Sequence, residues 1–99
     1  MNVRFLSSAR AELDDAALYY ERVRAGLGSD FYSEIDAALD LVKDFPEMSP
    51  PSVHGARRKN LDRFPYYLIY VVEGDEIVVA AVSHFSRDPA YWRDRFSES

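Results

Sequence analysis

IVVAAVSHFSRDPAYWRDR, residues Ile77 to Arg95, opens as an apolar run and closes in a cluster of rings, imidazole and guanidinium groups. The first half is too rich in β-branched residues to prefer a helix, and it reads as a central strand that delivers side chains to one end of a sheet. Asp88 and Pro89 then restart the chain as a short helix. Asp caps free N–H groups, and Pro suits the first helical position because no N–H is needed there. His84, Arg87, Tyr91, Trp92, Arg93 and Arg95 are therefore expected to crowd one corner, the leading candidate for a functional surface.

Working back from that strand, Glu73-Gly74-Asp75 is a hairpin turn signal between Tyr66–Val72 (YYLIYVV) and Glu76–Phe85. Arg57–Leu61 is a further candidate strand with a basic face. The segment PEMSPPSVHG before it holds three Pro and one Gly, and is expected to be a mobile loop over 46–56. Further upstream, Phe31, Ile35, Ala38, Leu39 and Val42 form the apolar stripe of a helix capped by Ser29 or Asp30 and stopped by Phe45-Pro46. Ala9, Leu13, Ala16, Ala17, Tyr20 and Val23 form the stripe of an earlier helix, with Ser8 as its cap and Gly26 and Gly28 ending it. Asn2–Leu6 reads as a short strand. The order of elements predicts one α+β domain over residues 1–99: an N-terminal strand, a helical hairpin, an antiparallel three-stranded meander and a short C-terminal helix. The helices are expected on one face of the sheet.

The 99 residues carry no cysteine, which excludes a disulfide, a thiolate nucleophile and a cysteine-based zinc site. The two His and scattered carboxylates give no metal-ligand spacing, and no glycine-rich phosphate loop is present, so no metal and no cofactor are expected. MNVRFLSSAR lacks the apolar run of a signal peptide, and no stretch is long enough to span a membrane, so a cytoplasmic protein is expected. Net charge is −5, which argues against a general nucleic-acid coat. The cations are nonetheless concentrated near the sheet: Arg57, Arg58, Lys59 and Arg63 face only Asp62 between residues 57 and 72.

The early ARAELDDAALYYE helix, GSDFYSEIDAAL and the block DRFPYYLIYVVEGDEIVVAAVSHFSRDPAYW, in this order, resemble the RelE/ParE superfamily of toxins from bacterial type II toxin-antitoxin systems. The resemblance spans nearly the whole chain. It implies a small toxin neutralised by a cognate antitoxin encoded beside it, with operator DNA bound only through the antitoxin. It also implies one of two targets. RelE-like members cleave messenger RNA in the ribosome, and ParE-like members poison DNA gyrase.

For RNA cleavage the resemblance points to Arg58 on a strand, Arg87 after the last strand and Tyr91 near the C-terminal aromatic position, with His84 assisting as acid or base. Tyr67 stands where those relatives carry another Arg. That loss of charge and the acidic balance favour the ParE-like branch, in which Arg63, Arg87, Tyr91, Trp92 and Arg95 would form a target-binding surface without chemistry. Leu13, Ala17, Tyr19 and Tyr20 are the expected antitoxin contacts. A third reading is a non-toxic binding or regulatory member. Each residue also has a plainer reading: His84 bonded to Tyr70 or Arg87, Arg63 and Arg87 paired with Asp62 or Asp88, Trp92 packing the terminal helix on the sheet, and His54 solvated in its loop.

Overall fold

The computed structural model describes residues 1–96, so the last three residues of the expected domain lie outside the described residues. Strand β1 (Asn2–Phe5) leads into helices α1 (Ser7–Val23) and α2 (Leu27–Asp44); β2 (Arg57–Asn60), β3 (Tyr66–Glu73) and β4 (Glu76–His84) follow, then the single-turn α3 (Ala90–Arg93). The sheet order is β1-β4-β3-β2. β2, β3 and β4 form the expected antiparallel meander, while β1 runs parallel to β4. The α+β class and the order of elements agree with the sequence reading.

The helix starts are set by tertiary contacts instead of the expected caps. Leu6 N–H still bonds the Val79 carbonyl at 2.9 Å, and Leu6 already serves as the flanking residue of α1. No residue is left between strand and helix for Ser8 to cap. α2 likewise begins ahead of Ser29 and Asp30, at Leu27, after Gly26 in a left-handed conformation (φ 94°). The Glu21 carboxylate of α1 accepts the Gly26 and Gly28 N–H groups at 3.0–3.1 Å, so one helix caps the next. Gly28 therefore belongs to α2 and does not end α1. A Cβ there would lie 2.8 Å from the Ala17 carbonyl oxygen, so glycine permits the close approach of the two helices.

Alternation along the strands divides the interior in two. Leu68, Val79 and Val82 face the hairpin and pack with Ala9, Leu13, Ala17, Phe31 and Ile35. Tyr67, Ile69, Ala80 and Ala81 face the other way and pack with Trp92. The expectation of all helices on one face is therefore corrected: the hairpin covers one side, and α3 covers the other through Trp92, which is 5% exposed. The pairing shifts between Ile69↔Ala81 and Tyr70↔Val79, leaving Ala80 as an extra residue in a bulge.

β1 pairs with β4 only as far as Val79, so the edge of β4 beyond it lacks a strand partner. That edge is closed by side chains. Glu12 of α1 accepts the Val82 N–H at 3.1 Å, and Arg95 donates to the Ala80 carbonyl at 2.7 Å. Covering exposed edge groups in this way removes a template for unwanted pairing.

Candidate functional site

The residues after β4 form two surfaces, not one corner. The first centres on Glu12, whose side chain is 14% exposed. Arg95 grips both of its carboxylate oxygens at 2.9 Å, and Arg87 approaches at 3.6 Å. The Arg95 pKa is raised, chiefly by the hydrogen bond to Glu12, so the guanidinium stays charged. Tyr91 lies between these cations, with Arg87 over its ring at 3.4 Å and Arg95 at 5.0 Å. Its hydroxyl is buried beside Ser83 and Glu12, and burial raises its pKa. A phenol held neutral in this way is poorly placed to act as a base at neutral pH.

His84 lies toward the hairpin side. Its Nδ1 accepts the Ser86 N–H at 3.0 Å, and its ring meets Tyr66 edge-on at 5.1 Å. Neither Tyr70 nor the Arg87 side chain is its partner; Tyr70 instead donates its hydroxyl to the Pro46 carbonyl. A shallow groove of about 300 Å³ joins His84 and Arg87 to Glu12, Asp15, Tyr19 and Tyr66.

The second surface centres on Arg58 of β2, on the sheet face where Tyr91 and Trp92 also pack. Arg58 stacks over Tyr67 at 3.8 Å and donates to the Asn60 side chain at 2.7 Å. Tyr67 is buried and accepts a hydrogen bond from the Trp92 indole at 3.2 Å, so it serves as a structural platform. Trp92 follows its packing reading. Arg63 belongs to neither surface, because its guanidinium lies 3.7 Å from Asp30 of α2 and its backbone N–H bonds Glu34. The expected partners Asp62 for Arg63 and Asp88 for Arg87 are thus replaced by Asp30 and Glu12. Asp88 instead accepts the Ala90 N–H at 2.9 Å, as expected of a residue that starts α3. His54 is exposed but stacks on Phe96, with ring centres 5.7 Å apart.

The expected antitoxin positions separate by burial. Leu13 and Ala17 are each 3% exposed, and Tyr20 packs among Phe31, Phe64 and Tyr66, so all three serve the core. Tyr19 is 60% exposed, beside exposed Leu18 and Val23 on the outer side of α1. Glu12 was not singled out by the sequence, because a carboxylate on a helix with many acids resembles a solvated face. No group of side chains suited to a metal occurs among the described residues, and none of their helices is long and apolar enough to cross a membrane.

Burial also sets an alkaline limit. Desolvation is the first cause of the raised pKa values of Tyr20, Tyr66 and Tyr91 relative to 10.0. A folded-state pKa above the unfolded one stabilises the fold fully below the unfolded value, and that contribution is lost as pH rises through the folded value. The expected result is no loss from these phenols up to about pH 10 and progressive destabilisation above it. Ultraviolet tyrosinate absorbance followed alongside circular dichroism checks this, with unfolding and late ionisation coinciding.

The geometry defines a small α+β module that presents two protein surfaces around an open four-stranded sheet. The chain belongs to the ParE toxin family of type II toxin-antitoxin systems (parDE), which it matches over residues 3–89. Its fold is similar to a solved chain of the chromosomal ParDE toxin-antitoxin system from P. aeruginosa, with a TM-score of 0.61 and 21% identity, covering 85% of this chain and 95% of that one. No curated protein matches the sequence.

Proposed function

We propose that this chain is a ParE-like toxin that acts by binding a protein target such as DNA gyrase, performs no covalent chemistry, and is neutralised by a cognate antitoxin in the cytoplasm. The observation that carries the reading is that the residues an RNA-cleaving relative would use are engaged in holding the fold together. Arg58 stands on the face opposite the hairpin, His84 toward the hairpin side, Arg87 beside Glu12, and Tyr91 has a buried hydroxyl. Arg87 is braced against Glu12, Arg58 is stacked on Tyr67, and Tyr91 offers no exposed hydroxyl to a phosphate. The same arrangement makes Arg87, Tyr91 and Arg95 a braced unit suited to holding a protein surface in one shape, with Arg87 55% exposed at its rim. The antitoxin would contact the outer side of α1 around Tyr19, with Leu13, Ala17 and Tyr20 supporting that side from within. Operator DNA would be engaged only through the antitoxin.

Induction of the chain alone in its host, scored together for growth, gyrase-linked DNA breaks and messenger cleavage, tests this. Growth arrest with DNA breaks and intact messages is expected. Messenger cleavage at the ribosomal A site that is lost in Tyr91→Phe or Arg87→Ala would replace the reading with an endoribonuclease. Unaffected growth would leave a non-toxic regulatory member.

A further inference from the structure

The largest cleft, about 620 Å³, lies between β2, the loop around Ser49 and α3, and falls within the size range of small-molecule sites. Arg58, Lys59 and Arg93 line it, and no carboxylate does. Among the described residues none of these cations has an ion-pair partner, in a chain whose net charge is −5. Lys59 also borders a small hollow shared with Glu34 and Asp62, so the charge of the cleft rests on Arg58 and Arg93.

Arg58 is already held in place for an anion. Its Nε donates to the Asn60 side chain at 2.7 Å, and the guanidinium lies over the Tyr67 ring at 3.8 Å. Its two terminal nitrogens donate to no group among the described residues. A guanidinium fixed in this way offers paired N–H groups to phosphate oxygens with little further loss of side-chain freedom. Ser49 on the facing loop is the second observation. Its carbonyl accepts a hydrogen bond from the Arg57 guanidinium, which ties this wall to β2. Its hydroxyl is buried at the wall and has no hydrogen-bond partner among the described residues, a condition that a ligand oxygen would relieve.

The rest of the lining is largely apolar, with Met48, Ile69, Pro89 and Trp92. Cations beside such a wall fit a ligand with an anionic end and a flat, weakly polar body. Bare phosphate would satisfy the arginines and leave the apolar wall in water. We propose that this cleft binds a nucleoside phosphate, with its phosphate on Arg58 and Arg93 and its base against Ile69, Pro89 and Trp92. The lining has no carboxylate, imidazole or phenol, so the nucleotide is held and not cleaved. Neither Arg87, Tyr91 nor Arg95 lines the cleft, and the site does not rest on the reading of the chain as a toxin.

Trp92 is the single tryptophan of the chain, so its fluorescence reports on this cleft. The test is calorimetric titration of the full chain with AMP, ATP and GTP, and with inorganic phosphate for comparison, alongside Trp92 emission. Saturable binding of a nucleotide with a matching change in emission is expected, and phosphate alone should bind at least tenfold more weakly. Arg93→Gln changes an exposed side chain and should weaken nucleotide binding about tenfold, as the loss of one charged hydrogen bond does. Arg58→Gln with Arg93→Gln should abolish it while the circular dichroism spectrum is retained. No saturable binding, or binding that Arg93→Gln leaves unchanged, would overturn the inference. Phosphate bound as tightly as the nucleotides would overturn it too, since the base would then contribute nothing. Binding of single-stranded RNA in the absence of mononucleotide binding would also overturn it. Each of these results leaves the gyrase reading to its own test.

Discussion

Glu12→Ala is expected to destabilise the fold by about 2–3 kcal/mol and to loosen the Arg87, Tyr91 and Arg95 side chains from the β4 edge. The carboxylate accepts both nitrogens of Arg95, the Val82 N–H and the approach of Arg87, and no other side chain stands in for it at the β4 edge among the described residues. Its removal leaves a guanidinium that is 19% exposed without a counter-charge, together with a strand donor lacking an acceptor. Glu12→Gln can still accept from Val82 but cannot balance Arg95, so its loss should be intermediate. Urea unfolding measures the first effect and amide exchange over residues 87–96 the second. If toxicity depends on the braced unit, Glu12→Gln should lose growth inhibition more than it loses antitoxin binding.

Trp92→Ala should cost about 3–5 kcal/mol, the usual range for a buried aromatic replaced by Ala. For a domain whose total stability is of the order of 5–15 kcal/mol, that approaches unfolding. The indole fills the space over Tyr67, Ile69, Ala80 and Ala81, where the small side chains at the bulge make room for it. Tyr67→Phe removes only the hydroxyl that accepts the indole N–H and should cost about 1 kcal/mol. The contrast between the two in denaturant melts separates packing from hydrogen bonding. Equal losses would mean that the hydroxyl, and not the ring volume, holds α3 in place.

The strands and the hairpin were legible because their signals are local. The β-branched run from Ile77, the Gly74 turn and the apolar stripe of α2 each announce themselves within a few residues. The parallel β1–β4 pair was not, since it joins residues more than 70 positions apart and leaves no periodic mark. The helix starts were misplaced for the same reason: Glu21 of another helix, and not Ser29 or Asp30, supplies the cap of α2. At the candidate site, the sequence named Arg87, Tyr91 and Arg95 but not Glu12, which organises them across more than 70 residues. It also grouped Trp92 and Arg63 with them, because spacing alone does not reveal that Trp92 is buried against Tyr67 and that Arg63 pairs with Asp30.

The most direct measurement is DNA supercoiling by purified gyrase with the purified chain added, run beside a ribosomal translation reaction in which messenger integrity is followed. Supercoiling inhibited, messages intact and activity restored by the antitoxin is the result expected of a toxin that works as a protein surface. Messages cut at the ribosome while supercoiling proceeds would contradict that account and return Arg58, Arg87 and Tyr91 to catalytic roles.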